Sequence, residues 1–374
     1  MSAIFYRYAT FCAFRNSFPN TADATFRYNK ETLTARRQRW SRRLRQQDYE
    51  SVISEVLDEE LPKYANSSII DPTDRISHMH ECALILASAP LVFAAAVDGT
   101  LAARLSRDGD LQNEYATIQA RAHVQPSIYI HLLTDDNGLA PTPNQYLLIR
   151  DVLLDYLAQD QASTHAWHLD NITHPPTSQA ASAQGHRKYL HTNNRSATRV
   201  HTLRRFCDGV QARVSTTSMS LWDIPFQFPP GECGYSIKSH DRLARHRARH
   251  SSNYVMNLVE DICTYLHRTG QFQQHFRMQQ YIIYLIFRPF QAAIAEIFCS
   301  GLLQVYVENG GGFNAYRAGL SVATARRVSM DEWDAHEAWV RRQSPVDENM
   351  RSQQRRAEQW TRETATTRVG KRLE

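Results

Sequence analysis

The order of strand-like and helix-like segments between residues 200 and 310 constrains the fold more than any other feature of the sequence. Three segments have the apolar and β-branched composition of strands: residues 215–223, 232–237 and 281–286. Three others carry helix signals such as capping residues or an initial proline: residues 240–249, 253–269 and 289–307. The order is strand, strand, helix, helix, strand, helix, and the first two strands are close enough in sequence to form a hairpin.

The residues before this region predict a mixed, mainly helical unit. Residues 71–74 open a helix that continues through the apolar run to Val97, and its length indicates a buried helix. Residues 127–133 have the composition of a strand, and turn-forming residues at 135–138 end it. Pro143 then begins another helix. The fold class predicted for the whole chain is therefore α+β.

Changes in composition divide the chain into four predicted parts. Residues 1–158 form an N-terminal mixed α/β domain whose role the sequence does not indicate. Residues 159–200 are rich in small and polar residues without a sustained apolar period, which predicts a linker or a long surface loop. Residues 201–325 hold the predicted sheet. Residues 326–374 form a charged tail, helical in patches or disordered.

Arginine dominates the basic residues of the chain. Of its 374 residues, 43 are Lys or Arg, five of these are Lys, and the formal net charge is +5. The planar arginine side chain suits phosphate and carboxylate groups, although a preference for arginine codons explains the same excess. With 42% hydrophobic residues, the chain has enough apolar side chains to form hydrophobic cores. This composition excludes a chain that is disordered over its whole length.

Neither the N-terminus nor the cysteines indicate export. The longest apolar stretch, residues 82–97, contains Pro90 and is shorter than the ~20 residues that a bilayer requires. Residues 1–18 carry Arg7 and Arg15 among aromatic residues and do not resemble a signal peptide. Six cysteines are scattered without a CxxC pair, which favours reduced thiols. The sequence therefore predicts an intracellular protein, nuclear or cytoplasmic, with no membrane association.

Two runs are dense in positive charge. Residues 36–45 hold six arginines and no acid, which predicts a solvated or nucleic-acid-facing helix. Residues 238–250 hold five fixed positive charges and one acid, and helical spacing puts Arg242, His246 and Arg249 on one face. Such a face can grip phosphate and hold a proton-transfer group beside it, although a solvated surface helix has the same composition. The residues predicted to contact nucleic acid are Lys238, Arg245, Arg249 and His250.

The second basic run follows a pattern that resembles the GIY-YIG nuclease family. Gly234 ends a short predicted strand, Arg242 follows eight residues later on the next helix, and His246 lies one turn further. Glu296 lies on the helix after the third strand, where the family carries a metal-binding Glu. Residues 312–314, Gly-Phe-Asn, resemble an element that follows this Glu in several members.

The resemblance covers residues 213–320 and implies a small antiparallel three-stranded sheet flanked by helices. It also implies phosphodiester hydrolysis with one divalent metal ion. Glu296 would hold Mg²⁺ or Mn²⁺, and the ion would stabilise the leaving oxygen. Arg242 would neutralise the charge that builds on the phosphate. Tyr235, Glu232 or His246 would serve as the catalytic base.

The sequence departs from the family pattern in two places. The family's first motif supplies a tyrosine a short distance before the Gly, where this chain has Ser220, Leu221 and Trp222. The tyrosine position of the second motif falls on Glu232. Because those tyrosines orient or activate the attacking water in the family, three functions stay open. They are a metal-dependent endonuclease, an inactive nucleic-acid-binding protein on the same scaffold, and a protein-interaction module whose arginines pair with acids of a partner or of the chain itself.

Two further interpretations concern single sites. Glu296 also fits an exposed helix position paired with Arg288. His78, His80 and Cys82 are metal-ligating residue types, but positions i and i+2 on a helix point apart, so a shared ion is not expected there.

Overall fold

The computed structural model describes residues 31–158, 163–192, 194–250, 253–320 and 322–370. Within these residues, helices surround one three-stranded antiparallel sheet, so the predicted α+β class is confirmed. The predictions for residues 1–18 lie outside the described residues.

The described chain begins with six helices. They are α1 (Leu33–Arg45), α2 (Tyr49–Glu60), α3 (Arg75–Ala87), α4 (Leu91–Val97), α5 (Leu101–Leu105) and α6 (Gly109–Arg121). The prediction of one continuous helix up to Val97 is wrong, because α3 and α4 are separate and meet at a 110° bend. Pro90 lacks the N–H that a helix needs and disfavours helical backbone in the residue before it, so the chain turns there.

The strand that comes first in the chain lies in the middle of the sheet. The strands are β1 (Ser127–Thr134), β2 (Gly231–Ser236) and β3 (Arg277–Leu285), in the spatial order β2-β1-β3. All eight residues of β1 are buried. The strand pairs with β3 along its length and with β2 over residues 127–132, and its apolar side chains belong to two core clusters that include helix residues. This burial suits its nearly continuous apolar sequence.

Among the described residues, four α-helices lie between β1 and β2 in the chain. They are α7 (Pro143–Tyr156), α8 (Ala166–Asp170), α9 (Gln179–Ala183) and α10 (Ala197–Ser215). As predicted, α7 begins at Pro143, and Thr142 and Gln145 cap it reciprocally. The predicted linker contributes to the core: Leu169 and Leu190 are fully buried in a cluster with residues of α7 and α10.

Residues 215–223 are not a strand, so the hairpin predicted between them and residues 232–237 is absent, and β2 pairs with β1 instead. The apolar residues of α10 recur at helical spacing up to Val214, so the segment before residue 215 is helical. The hydroxyls of Thr216 and Thr217 then bond to the last carbonyls of this helix, at Ala212 and Arg213. Short polar side chains of this kind favour helix ends and turns over strands.

The sheet joins residues from both sides of the predicted domain boundary at residue 158. β1 comes before that boundary, whereas β2 and β3 come after it. One hydrophobic cluster likewise contains residues of α2, α3, β1, β3 and the helix after β3. Residues 31–158 and 201–325 therefore share a sheet and a core.

Five helices complete the described chain. They are α11 (Ser239–Arg247), α12 (Tyr254–Arg268), α13 (Gln291–Leu303), α14 (Met330–Gln343) and α15 (Val346–Gly370). The side chain of Asn253 caps α12, as predicted. The charged tail is helical in α14 and α15, and Trp333, Val340 and Val346 are buried in the core.

Four of the six arginines of α1, Arg36, Arg39, Arg43 and Arg45, contact acids of the same chain. Arg39 and Arg43 contact Glu55 at 2.6 and 2.5 Å, and Arg36 contacts Glu59 at 2.6 Å. Arg37 is buried and donates to the carbonyl oxygen of Ala96. This first basic run therefore fixes α1 against α2 and α4.

No single helix among the described residues is long and apolar enough to cross a bilayer; α3 and α4 reach that length only as a bent pair. The five described cysteines are buried and form no disulfide with one another.

Candidate functional site

A cavity of about 800 Å³ lies beside β2. Arg242 of α11 and Glu296 of α13, the two residues central to the sequence hypothesis, both line it. Tyr129 of β1 and Gly234 of β2 line it as well. Six basic and two acidic side chains face the cavity in total, so its wall carries a net positive charge.

Tyr129 lines this cavity, but the sequence interpretation did not identify it as a site residue. It lies directly opposite Gly234 in the sheet. A Cβ atom at position 234 would lie only 2.5 Å from the Tyr129 hydroxyl oxygen and 2.6 Å from Cζ, so glycine leaves the space that this ring occupies. The Arg242 Nε donates a hydrogen bond of 3.3 Å to the Tyr129 hydroxyl.

The electrostatics of this pair favour a protonated tyrosine and a charged arginine. Burial raises the pKa of Tyr129 well above its ordinary value, so its hydroxyl keeps its proton at neutral pH. Burial works against the charge of Arg242, but the neighbouring Tyr129, Glu232 and Glu296 outweigh it and raise the pKa of Arg242.

Glu296 is buried at the cavity and is not an exposed residue paired with Arg288, which contacts Glu81 at 2.8 Å instead. Burial raises the pKa of Glu296 to about 7, although the backbone N–H of Gly319, which donates to Oε2 at 3.1 Å, opposes this rise. Arg242 also lowers this pKa, so the two side chains interact. A carboxyl group with such a pKa can hold a cation or exchange a proton near pH 7.

Two of the predicted nucleic-acid contacts, Lys238 and Arg245, are exposed and line the cavity. Arg317 and Arg327, which the sequence interpretation did not single out, are also exposed and line it. Tyr316 belongs to the same lining and is 58% exposed. The cavity therefore combines cationic groups that suit phosphate with an aromatic ring that suits base stacking.

The other two predicted contacts, Arg249 and His250, do not line the cavity. Arg249 has left-handed backbone (φ 60°) just after α11 and contacts Glu260 at 2.9 Å and Asp261 at 3.0 Å. The His250 N–H donates to the carbonyl oxygen of Arg245, which closes the end of the helix. Arg249 thus ties the end of α11 to α12, and the prediction that it shares a binding face with Arg242 is wrong.

Glu232 and His246, two of the predicted catalytic residues, lie in a buried cluster with His131 of β1. Glu232 is directly opposite His131 in the sheet, and its Oε2 lies 2.7 Å from the His131 Nδ1. The ring centroids of His131 and His246 are 4.6 Å apart. Burial lowers the pKa of His246 to about 4, whereas the two histidines and Asn253 outweigh burial and lower the pKa of Glu232 to about 2.

Tyr235, the remaining predicted catalytic residue, also lines the cavity. Its side chain is buried, and burial raises the pKa of Tyr235 to about 12. A phenol with this pKa is protonated at neutral pH, which disfavours a role as base.

Residues 312–314 lie beside β2. The side-chain amide of Asn314 donates to the Cys233 carbonyl at 2.9 Å and accepts from the Cys233 N–H at 3.0 Å. Gly312 forms a parallel bridge with Gly231. The contacts fix the floor of the cavity next to Gly234.

The sequence contained a signal for Tyr129 and His131, since both belong to the correctly predicted strand β1. The family pattern places its first tyrosine shortly before the Gly, whereas in this chain the segment 135–230 separates β1 from β2. His78, His80 and Cys82 form no metal-ligand group in the described residues, where the group of three that does is His131, Glu232 and His246.

No family model matches the chain, and neither a curated protein nor a solved structure matches it.

Proposed function

We propose that this chain binds nucleic acid and hydrolyses its phosphodiester bonds in the cavity around Tyr129, as GIY-YIG nucleases do. The observation that carries the proposal is the meeting of Tyr129, Arg242 and Glu296 in one basic cavity. In this proposal, Tyr129 is the first-motif tyrosine that the sequence interpretation did not find. The segment 135–230 is then an insertion between the first two strands of a GIY-YIG-like fold.

Charge and shape of the cavity support a nucleic-acid substrate. The guanidinium groups of Arg242 and Arg245 offer paired donors to phosphate oxygens. The exposed ring of Tyr316 offers a stacking surface to an unpaired base. The proposal keeps the expectation of an intracellular protein.

Arg242 and Tyr129 supply most of the proposed chemistry. Arg242 binds the scissile phosphate and neutralises the negative charge that grows in the transition state. The Tyr129 hydroxyl, held by the Arg242 Nε, keeps its proton and therefore orients the attacking water by a hydrogen bond. A group held in place before the reaction lowers the entropic part of the barrier.

Glu296 fits a hard divalent ion such as Mg²⁺ or Mn²⁺. Hard ions take carboxylate oxygens and keep several waters, for which the cavity has room. Burial raises the pKa of Glu296 because it disfavours the charged carboxylate, and a bound cation would compensate that charge. When bound, the ion supplies charge stabilisation for the leaving oxygen.

A cleavage assay with the purified full-length chain tests the proposal. Labelled single- and double-stranded DNA and RNA are incubated with Mg²⁺, with Mn²⁺ or with a chelator. We expect metal-dependent cleavage that falls by at least about 100-fold in each of Arg242→Ala, Glu296→Gln and Tyr129→Phe, because each removes a group that acts on the transition state.

Arg268→Ala is the matched control, since Arg268 is exposed at the end of α12 and does not line the cavity. Cleavage that survives all three cavity substitutions would come from a contaminant and would contradict the proposal. Absence of cleavage on every substrate would also contradict it.

A nucleic-acid-binding protein without nuclease activity is the second candidate. The observation that favours it is Glu232, which stands where the family's second tyrosine is expected and contacts His131 instead. This candidate predicts salt-dependent binding without cleavage, and the slope of log K against log salt concentration should decrease in Arg245→Ala. Binding that does not respond to salt would exclude it.

A further inference from the structure

The buried cluster of His131, Glu232 and His246 has the composition of a transition-metal site. These residues are 0, 8 and 3% exposed, and their potential ligand atoms all lie within 4.8 Å of one another. They come from three elements, β1, β2 and α11. Two imidazoles with one carboxylate form a set that Zn²⁺ binds, often with water in the fourth position. Hard Mg²⁺ instead prefers oxygen ligands.

Most polar atoms of this cluster have no hydrogen-bond partner within the described residues, although Glu232 Oε1 accepts from Asn253 and Glu232 Oε2 lies 2.7 Å from the His131 Nδ1. Both ring nitrogens of His131 and both of His246 are buried without a hydrogen bond, as is the Glu232 Oε2. Although His131 Nδ1 and Glu232 Oε2 are 2.7 Å apart, they are not aligned as a hydrogen bond. Buried polar atoms without partners are costly, at about 1–3 kcal/mol each, so native structures nearly always satisfy them.

The surroundings hold the ligands in place. Asn253 donates to the Glu232 Oε1 at 3.1 Å, which leaves Oε2 directed to the histidines. The cross-strand register fixes His131 opposite Glu232. Zinc ligands at about 2.0–2.2 Å from the ion stand roughly 3.3 Å apart in a tetrahedron. The potential ligand atoms of the cluster lie within 4.8 Å of one another, so a shift of about 1.5 Å or less would bring each pair to the spacing of a tetrahedral zinc site.

We propose that His131, Glu232 and His246 bind one Zn²⁺ that joins β1, β2 and α11 and leaves a fourth position for water. Glu232 also lines the cavity that holds Glu296, but Glu296, where the proposed function needs a hard ion, is not among the three proposed zinc ligands. The inference does not rest on the proposed function, because zinc binding is measured without a nucleic-acid substrate.

Metal analysis and titration of the full-length chain test the site. We expect one equivalent of zinc per chain after purification, and rebinding of one equivalent by the chelated protein in the presence of excess Mg²⁺. Since loss of even an outer-shell partner weakens metal binding about 10–100-fold, loss of a ligand should weaken it at least about 100-fold. The variants are His131→Gln, Glu232→Gln and His246→Gln. The matched control is His336→Gln, a histidine that is also 3% exposed but lies on α14.

Cobalt substitution in the wild-type chain keeps the test decisive if a variant fails to fold. A Co²⁺ spectrum with tetrahedral d–d bands and without a thiolate charge-transfer band supports the proposed ligands. A thiolate band would place the metal on a cysteine and overturn the proposal. Failure of the folded wild-type chain to bind Zn²⁺ or Co²⁺, or unchanged affinity in His246→Gln, would overturn it as well.

Discussion

At the residue scale, the site depends on one missing side chain. Gly234 leaves open the space that the Tyr129 ring fills, and this ring positions the hydroxyl that Arg242 contacts. The requirement for glycine here is steric, since a Cβ would meet the ring atoms of a buried tyrosine rather than the end of a flexible chain. A single methyl group at this position therefore acts on the candidate active site through Tyr129.

Gly234→Ala should lower the free energy of unfolding by about 1–3 kcal/mol, because added volume in a packed region forces its neighbours to move. Urea unfolding measures this change. Gly109→Ala is the control: a Cβ at Gly109 meets no atom within 4 Å, so stability should stay the same or rise by up to about 1 kcal/mol. Equal effects of the two substitutions would show that Tyr129 does not occupy the space opposite Gly234.

At the element scale, helix α1 shows how charge density alone misleads. Its arginines form a basic run in the sequence, but acids of α2 and the preceding residue Glu31 approach them in space. Glu55 accepts hydrogen bonds from Arg39, Arg43 and the Trp40 indole. The sequence allowed arginines that pair with acids of the chain itself, and these contacts of α1 are of that kind. Helix α11 differs, because Lys238 and Arg245 stay exposed at the cavity.

Glu55→Gln should therefore destabilise the chain at pH 7 by roughly 1–3 kcal/mol, since it removes a charged hydrogen-bond acceptor. Burial opposes the effect, but Trp40, Arg39 and Arg43 lower the pKa of Glu55 below its ordinary value of 4.5. A carboxyl group with a lowered pKa stabilises the fold above its ordinary pKa, and this contribution is lost as the pH falls through the folded-state pKa. The difference between wild type and variant should thus shrink below pH 4.5.

Urea unfolding at pH 7 and at pH 4 or below measures this difference. Asp334→Asn, at an exposed position of α14, is the control and should change stability by less than about 0.5 kcal/mol. A difference for Glu55→Gln that stays constant or grows on acidification would show that the ion pairs of α1 do not stabilise the fold.

At the scale of the whole molecule, the central strand comes from one half of the chain and both outer strands come from the other. β1 is buried along its whole length between β2 and β3. It also carries Tyr129 and His131, so both the candidate active site and the proposed zinc site need residues from both halves. The described helices between residues 135 and 230 form a core cluster with α12, a helix that follows β2 in the second half of the chain.

A fragment of residues 201–374 should therefore lack cooperative unfolding, because its two strands lose the partner that lies between them. Thermal unfolding followed by circular dichroism, compared with the full-length chain, measures this. Addition of a fragment of residues 1–158 should restore part of the cooperative transition. A fragment 201–374 that unfolds cooperatively by itself would show that the sheet does not depend on β1.

The sequence by itself determined the features that depend on neighbouring residues. The strand β1, the start of α7 at Pro143, the Asn253 cap of α12 and the positions of Gly234 and Arg242 all follow from local composition and capping chemistry. Such signals act over a few residues, so one sequence is enough to find them. The error at residues 215–223 arose where short polar residues fit a helix end as well as a strand.

Only the tertiary structure decided which distant residues meet. No local pattern states that β1 pairs with β2 across the segment 135–230, because strand pairing depends on burial of the whole sheet and on register. That pairing puts Tyr129 against Gly234 and His131 against Glu232. A second set of long-range contacts separates Arg249 from Arg242, because ion pairs with Glu260 and Asp261 hold Arg249 at α12. The chemistry of the site thus follows from contacts between segments far apart in the chain.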